Sequence, residues 1–221
     1  VEQSCLAVNG TTKINYQGQE IDLARPWQRI KMVDAIADKT GLDVLNMKKV
    51  EILDYMKKNN IEFNPKLTNN KGSVIALLFE GVCEKDLIQP TFIIDHPIGT
   101  TPLCKPLREY TLEQIEEMKN DSEAVIFVER FEPYINKWEM GNSYSELNDP
   151  ILQRRLFEEQ VERGRGGEDE TQPMDEDFLK AIEIGMPPTT GVGMGVDRLV
   201  MLLTNSYSIR DVLLFPLMKP L

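Results

Sequence analysis

Three alternating glycines, Gly191, Gly193 and Gly195, constrain what this chain can fold into more than any other feature. Glycine has no side chain, so a ligand or another chain segment can approach this backbone closely. Apolar residues then recur with helical spacing at Val196, Leu199, Val200 and Leu203. Neighbouring positions are also apolar, which indicates that much of this helix is buried. The pattern therefore predicts a glycine-rich strand that leads directly into a packed helix.

Arg198 falls in the first turn of this predicted helix, away from the apolar stripe. A buried guanidinium needs a carboxylate or a bound anion as its partner. The free N–H groups and the dipole at a helix N-terminus both attract anions, which favours a phosphate. From these residues alone, a structural ion pair or a closely packed strand explains the pattern equally well. The spacing G-x-G-x-G argues against a dinucleotide-binding fingerprint, which requires G-x-G-x-x-G.

The composition of the 221 residues is typical of a globular chain with a sizeable core, with 41% hydrophobic and 28% charged residues. The net charge of −11 indicates a surface that mostly repels nucleic-acid backbones. Three cysteines without C-x-x-C spacing predict free thiols in a reducing, cytoplasmic compartment. The single histidine, His96, excludes a multi-histidine metal site and is interpreted as a hydrogen-bonded structural residue. The sequence contains no transmembrane run, and we expect no membrane association.

Hydrophobic periodicity predicts mixed secondary structure along the chain. Alternating residues predict a hairpin at 12–23 with its turn at Gly18-Gln19, and short strands at 91–95 and 124–128. Helical spacing predicts helices at 27–39, 45–58, 73–85, 112–119, 149–162 and 175–185. The helical segment at about 27–88 is explained by core packing alone. An acidic, glycine-rich loop is predicted at 164–174.

Two carboxylates in a second hairpin predict a metal site. Asn136-Lys137 is a natural two-residue turn, which would pair Tyr134 with Glu139. Glu132 and Glu139 would then project from the same face of the sheet as diagonal neighbours. Neighbouring carboxylates repel each other unless a cation lies between them, and Mg²⁺ bridging to a phosphate fits best. The alternative is that both acids simply face water.

The face of the sheet on which the next polar side chains lie depends on whether the strand pairing of this hairpin is regular. Simple alternation would place Asn142, Tyr144 and Glu146 on the face opposite Glu132. A bulge at Gly141 would reverse this parity and turn all five side chains towards one cavity. The sequence permits the bulge without requiring it.

Several blocks of sequence, taken with the glycine run, resemble a known family. They are N-x-Y-x-E-L-N-D-P at 142–150, Q-R-x-x-F-E-x-Q at 153–160, M-D-E-D-F at 174–178, G-M-P-P-T at 185–189 and I-R-D-V-L-L-F-P at 209–216. These blocks resemble class II lysyl-tRNA synthetases and separate them from aspartyl and asparaginyl relatives. The resemblance covers essentially the whole chain apart from 106–124. It implies an α+β fold, an antiparallel β-sheet flanked by helices that forms part of a class II catalytic core.

The resemblance implies a lysine–tRNA ligase, which activates lysine with ATP to lysyl-adenylate and transfers it to tRNA(Lys). Glu132 and Glu139 match the carboxylates that hold Mg²⁺ on ATP. Arg198 matches the catalytic motif 3 arginine on the γ-phosphate. Gly193 and Gly195 match positions under the nucleotide. Three residues match positions of the family's lysine pocket. Asn142 matches a residue near the α-carboxylate, Tyr144 matches a residue of the pocket wall, and Glu146 matches the acid that recognises the ε-ammonium.

Some features of the family have no counterpart in residues 1–221. The anticodon-binding domain, motif 1 and motif 2 are not recognised, so we expect the C-terminal portion of the catalytic domain. Because motif 2 supplies the arginine at the α-phosphate, we expect this chain alone to be inactive and to self-associate or be marginally stable. The complete protein is expected to be a cytoplasmic homodimer. Two alternatives remain open: a non-enzymatic lysine-binding paralogue, and a related lysine ligase that acts on a protein.

Overall fold

The N-terminal part of the chain folds into a helix and a small sheet. The computed structural model describes residues 1–119, 121–165 and 173–216. Helix α1 (Glu2–Asn9) precedes the antiparallel hairpin of β1 (Lys13–Tyr16) and β2 (Gln19–Asp22). The predicted hairpin is confirmed, but its turn occupies Gln17 and Gly18 rather than Gly18-Gln19. Both residues have positive φ, 50° and 87°, which matches the twist of a two-residue hairpin.

The main sheet has six strands among the residues that the structure describes. They are β3 (Gln28–Lys31), β4 (Thr91–Pro97), β5 (Phe127–Ile135), β6 (Trp138–Glu139), β7 (Gly141–Ser145) and β8 (Thr190–Met194). Their order is β3-β4-β5-β7-β8, and β6 also pairs with β5. Every pair is antiparallel except β3 with β4, which is parallel. The predicted α+β fold with an antiparallel sheet is therefore confirmed, with one parallel pair at its edge.

A layer of three helices packs on one end of this sheet. It consists of α2 (Met32–Thr40), α3 (Lys49–Lys58) and α4 (Lys71–Val82). Ile36, Ile52 and Phe79 from these helices form one core cluster with Ile93 and Tyr134 of the sheet. The prediction of a helix from residue 27 was wrong for its first part, which is strand β3. Backbone pairing with β4 decides the conformation there, and such pairing overrides local periodicity.

The other helices flank the remainder of the sheet. They are α5 (Leu112–Lys119), α6 (Pro150–Arg165), α7 (Glu176–Gly185) and α8 (Val196–Thr204). Asp175 caps α7 because its side chain accepts a hydrogen bond from the Phe178 N–H. The loop predicted at 164–174 lies largely outside the described residues. None of the described helices combines the length and apolar character needed to cross a membrane.

Helix α8 is less buried than its apolar stripe predicts. Met201 and Leu202 are buried, and Leu199 packs partly against the core around the β1–β2 hairpin. Val196 is 63% exposed and Val200 is also exposed. The expectation of a largely buried helix was wrong for its first turns, because the neighbours of α8, which are α1, β1 and the short helical turn at Ile209–Asp211, leave Val196 and Val200 uncovered. The first turn therefore remains open to solvent and to ligands.

Candidate active site

The register of the second hairpin places the two predicted carboxylates on one face of the sheet. Tyr134 of β5 pairs directly with Glu139 of β6, and directly paired residues share a face. Glu132 lies two residues before Tyr134 on the same strand, so it points to that face as well. The predicted common orientation of Glu132 and Glu139 is confirmed. We call this side of the sheet the carboxylate face.

A bulge turns the next polar residues towards the same face. Between the pairs Tyr134–Glu139 and Arg130–Tyr144, β5 advances by four residues while its partner advances by five. The extra residue lies at Met140-Gly141, where the sequence permits a bulge. The bulge is therefore confirmed, and it places Asn142 and Tyr144 on the carboxylate face.

Glu146 continues this alternation just beyond β7. Its side chain lies above Gly191, where an added Cβ would be only 2.6 Å from Glu146 Oε1. Gly191 in turn pairs with Tyr144 of the carboxylate face. The five polar residues predicted for the site therefore lie on one side of the sheet.

Glycine is found at the positions around β8 for different structural reasons. A Cβ on Gly141 would lie 2.3 Å from the carbonyl oxygen of Gly193, so a larger residue would disturb the β7–β8 pairing. Gly193 pairs with Asn142 on the carboxylate face, and a Cβ there would have no neighbour closer than 3.8 Å. At Gly195 the nearest atoms, in Arg198 and Met140, would lie 3.5 Å away. Protein packing explains Gly141 and Gly191, whereas Gly193 leaves space on the carboxylate face.

Arg198 points towards the same region from the first turn of α8. One of its terminal nitrogens donates a hydrogen bond to the backbone carbonyl of Glu139. The side chain is exposed, so the prediction that the guanidinium is buried was wrong, whereas its role facing an anion stays a prediction. The reason is that the first turn of α8 lies in solvent, where Val196 is exposed as well. An exposed guanidinium beside Glu139 remains accessible to an anionic ligand.

Arg130 is a residue of the site that the sequence interpretation missed. Its Nε donates to Asn142 Oδ1 at 3.0 Å, one terminal nitrogen donates to Thr100 Oγ1 at 3.0 Å, and the other donates to Glu132 Oε1. The side chains of Arg130 and Glu132 are only 12% and 9% exposed. Its position two residues before Glu132 already indicated a shared face, but neither Asn142 nor Thr100 could be identified as its partner from that spacing.

A tyrosine links Glu132 to another carboxyl group that the sequence interpretation missed. The Tyr134 hydroxyl lies 3.0 Å from Glu132 Oε2 and 2.9 Å from Glu84 Oε1. Burial and the adjacent carboxyl groups raise the pKa of Tyr134, so the phenol stays protonated. Burial raises the pKa of Glu84, and the charges of Glu132 and Glu139 raise it further. Arg130 therefore donates to one oxygen of Glu132, and the other oxygen shares the single proton of Tyr134 with Glu84.

His96 has the structural role expected from the sequence. Its Nε2 lies 3.1 Å from the Ile93 carbonyl oxygen, and a carbonyl only accepts, so Nε2 carries the proton. Burial, and next the charge of Arg130, lower the pKa of His96 to about 3. A bulge at Asp95, with φ of 57°, turns the ring towards Glu132, 3.9 Å away. The histidine stays neutral and is not suited to act as a base at neutral pH.

The charges on this face fit a divalent cation. Burial raises the pKa of Glu139, and the neighbouring charge of Glu132 raises it further, while Arg130 and Arg198 oppose the shift. Two carboxylates on one face whose charges interact are stabilised by a cation with a preference for oxygen ligands. Within the described residues, no group of three or more His, Cys, Asp and Glu side chains forms a metal site. A cation at Glu132 and Glu139 would therefore have only these two carboxylates of the described residues as ligands, and Glu132 would have to share its oxygens with Arg130 and Tyr134.

Comparisons with known proteins identify the family of this chain. Residues 2–219 match the family described as tRNA synthetases class II (D, K and N). The lysine–tRNA ligase of Thermoanaerobacter sp. (strain X514) is 50% identical over 214 residues, which cover 96% of this chain and 40% of that protein. The lysine–tRNA ligase of Clostridium acetobutylicum is 47% identical over 225 residues, which cover 100% of this chain and 40% of that protein.

The match extends along nearly the whole chain, although the chain spans only about 40% of the length of these curated relatives. The Clostridium perfringens lysine–tRNA ligase shows the same pattern, with 47% identity over 98% of this chain and 41% of that protein. The sheet, the carboxylate face and the extent of the family match together establish that this chain belongs to the class II tRNA synthetases of the D, K and N group.

Proposed function

We propose that the protein containing this chain is a lysine–tRNA ligase. It would join lysine to ATP as lysyl-adenylate, releasing pyrophosphate, and then transfer the lysyl group to tRNA(Lys). The names of the similar proteins support this proposal, because each is a lysine–tRNA ligase. The observation that carries it is the environment of Glu146.

Glu146 is a carboxylate without a counter-ion in the described part of the chain. Burial alone raises its pKa, with no contribution from a neighbouring cation. Its side chain lies above Gly191, beside Tyr144. A partly buried carboxylate without a counter-ion is stabilised when a positive group approaches it, and an ammonium ligand supplies that group. We therefore assign Glu146 to the ε-ammonium of lysine, with Tyr144 on the wall of the pocket.

The other end of the carboxylate face is assigned to ATP. Glu132 and Glu139 would hold Mg²⁺, which would neutralise phosphate charge. Arg198 would bind the γ-phosphate through its exposed guanidinium, close to the Glu139 carbonyl. The backbone at Gly193 leaves room for the nucleotide, because a Cβ there has no close neighbour, and Gly195 is assigned to the same nucleotide region. These groups act by holding charge in position rather than by transferring protons.

Asn142 lies between these two regions and is assigned to the α-carboxylate of lysine. It sits on the carboxylate face opposite Gly193, and its amide is held by Arg130. A lysine bridging Glu146 and Asn142 would direct its carboxylate towards the nucleotide end of the face. That carboxylate is the nucleophile of the activation step, which attacks the α-phosphorus and expels pyrophosphate.

The remaining assignments extend from this activity. We propose ATP and lysine as small-molecule substrates, tRNA(Lys) as the acceptor, a homodimer as the assembly and the cytoplasm as the location. All three cysteines are buried free thiols, which agrees with a reducing compartment. Residues 1–221 are assigned to the C-terminal portion of the catalytic domain, with helices α2–α4 as a layer attached to the sheet.

Lysine-dependent ATP–pyrophosphate exchange by the full-length protein tests this function. We expect exchange with lysine and background exchange with aspartate or asparagine, followed by transfer of radiolabelled lysine to tRNA(Lys). Lysine binding without exchange would identify a non-enzymatic lysine-binding protein instead. Exchange followed by transfer to a protein but not to tRNA would identify a lysine ligase of another kind.

A further inference from the structure

Arg130 connects the region assigned to the metal with the region assigned to the lysine carboxylate. We propose that Arg130 is a positioning residue that couples them: it orients the Asn142 amide for lysine, and it competes with the cation for Glu132. Removing the guanidinium should therefore weaken lysine binding and strengthen cation binding. This inference rests on the proposed lysine–tRNA ligase activity.

The contact with Asn142 fixes the orientation of an amide. A guanidinium only donates hydrogen bonds, so Asn142 must turn its oxygen towards Arg130 Nε, 3.0 Å away. The Asn142 NH₂ group then points elsewhere, and no hydrogen bond to it occurs within the described residues. Two free N–H donors on the carboxylate face suit a ligand carboxylate. Without Arg130 the amide can rotate and present its oxygen, which would repel that ligand.

The contact of Arg130 with Asn142 favours lysine binding, whereas its contact with Glu132 disfavours the binding of a cation. One terminal nitrogen of Arg130 donates to Glu132 Oε1, in a pair that is almost fully buried. Tyr134 lies 3.0 Å from the other oxygen, so a cation must approach a carboxylate whose oxygens already have partners. The guanidinium charge also repels a nearby cation, and burial limits the screening of that repulsion. Arg130 therefore lowers the affinity of the Glu132–Glu139 pair for a cation.

A third contact fixes the guanidinium between these two partners. Thr100 Oγ1 accepts a hydrogen bond from Arg130 at 3.0 Å and lies 2.8 Å from the Pro97 carbonyl oxygen, to which it donates. The three donors of one planar group thus reach Glu132 on β5, Asn142 on β7 and Thr100 beyond β4. A lysine side chain could replace the charge, but it could not reproduce this planar fork. The charge and the geometry of Arg130 can therefore be separated by substitution.

The test compares Arg130→Met and Arg130→Lys in the full-length protein. Lysine affinity is measured by calorimetry without nucleotide, and the Mg²⁺ midpoint is measured by titration with a non-hydrolysable ATP analogue. For Arg130→Met we expect the lysine Kd to rise about ten- to a hundredfold, the scale of a lost hydrogen bond to a charged group. The Mg²⁺ midpoint should fall roughly fivefold. Arg130→Lys should weaken lysine binding similarly and leave the Mg²⁺ midpoint unchanged.

Arg108→Met is the matched control. Arg108 is 86% exposed, and its Nε donates to Glu129 Oε1 at 2.9 Å, on the same strand as Glu132. Loss of this exposed ion pair should change neither the lysine Kd nor the Mg²⁺ midpoint. A simultaneous rise of the lysine Kd and the Mg²⁺ midpoint in Arg130→Met would indicate general damage and overturn the inference, as would unchanged lysine affinity.

Thermal unfolding of each variant identifies one that does not fold. If Arg130→Met does not fold, Arg130→Lys decides, because unchanged lysine affinity in that variant overturns the inference. If the wild-type protein binds no lysine, the proposed function itself fails. If the wild-type protein binds lysine, but the folded variants have the wild-type lysine Kd and Mg²⁺ midpoint, then only the role of Arg130 is disproved and the proposed function stands.

Discussion

At the scale of single residues, Glu146 provides the most direct test of amino-acid selection. In the full-length protein, Glu146→Gln should raise the KM for lysine about a hundredfold, because a desolvated ammonium would lose its charged partner. The KM for ATP should stay nearly constant, since Glu132, Glu139 and Arg198 are untouched. Pyrophosphate exchange measures both constants. Equal rises for lysine and ATP would show that Glu146 has a structural role instead.

The pH dependence of the same residue gives a second prediction. Burial raises the pKa of Glu146, so the folded protein retains that proton to a higher pH than the unfolded chain does. Lysine affinity should fall as the pH decreases through this raised pKa, because a protonated carboxyl cannot pair with an ammonium. The Glu146→Gln variant should lack that dependence. A lysine affinity that falls equally with acidity in both proteins would contradict the assignment.

The pH dependence of folding stability has the opposite direction from that of lysine affinity. A raised carboxyl pKa means that ionisation costs folding stability as the pH rises through the window between the unfolded and folded pKa values. At neutral pH, the ligand-free Glu146→Gln variant should therefore unfold at the same temperature as the wild type or at a higher one. Thermal unfolding without lysine measures this directly.

Arg198 tests the phosphate end of the carboxylate face. Arg198→Lys should raise the KM for ATP about tenfold or more, because an ammonium cannot reproduce a planar, forked contact with phosphate. Lysine affinity without nucleotide should stay constant, and Arg108→Lys serves as the control for an exposed arginine beside an acid. Wild-type exchange kinetics in Arg198→Lys would contradict the role.

Predictability at the residue scale depended on sequence distance. The shared face of Glu132 and Glu139 followed from the two-residue turn at Asn136-Lys137 alone. Arg130 lies on the same strand, yet its partner Thr100 comes from a segment 30 positions away. Glu84 reaches the site through Tyr134 over a separation of 50 positions. No spacing rule relates such residues, so only the folded structure brings them together.

At the scale of elements, the bulge between β6 and β7 decides which side chains reach the carboxylate face. Gly141→Ala should reduce the free energy of unfolding by about 1–3 kcal/mol, since its Cβ would overlap the Gly193 carbonyl oxygen. Gly193→Ala is the matched control, because its Cβ would have no neighbour within 3.8 Å. Urea unfolding compares the two variants.

The two glycine variants should also differ in nucleotide binding. Gly193→Ala should keep its stability and lose ATP affinity, because the added methyl projects into the space assigned to the nucleotide. Loss of stability in Gly193→Ala, or normal stability in Gly141→Ala, would contradict the structural roles assigned to these glycines.

Elements with a local signal were predictable, and those fixed by distant partners were not. The β1–β2 hairpin and helix α7 followed from alternation and helical spacing. Strand β3 was mistaken for a helix because its partner β4 lies about sixty residues away in sequence. The exposure of Val196 and Val200 could not be predicted either. Periodicity marks an apolar stripe but not how much protein covers it.

At the scale of the whole molecule, part of the side of the sheet opposite the carboxylate face is open, whereas the part around Ile135 is covered by the β1–β2 hairpin. An apolar groove of about 770 Å³ lies there. Its wall includes Trp27, Phe92, Phe131, Val192 and Met194. Val192 is 77% exposed, and Phe131 and Met194 are also exposed. Contiguous apolar surface of this kind favours association in water.

The 221-residue polypeptide studied by itself should therefore associate through this surface. Sedimentation velocity should show a weight-average mass that rises with concentration above that of the 25.3 kDa chain. The double substitution Val192→Thr and Met194→Thr should shift the polypeptide towards monomer, because it makes exposed strand positions polar while Thr suits a strand. Ile184→Thr is the control, since Ile184 is 90% exposed on α7 and does not line the groove. A concentration-independent monomer, or an equal effect of Ile184→Thr, would show that the groove does not drive association.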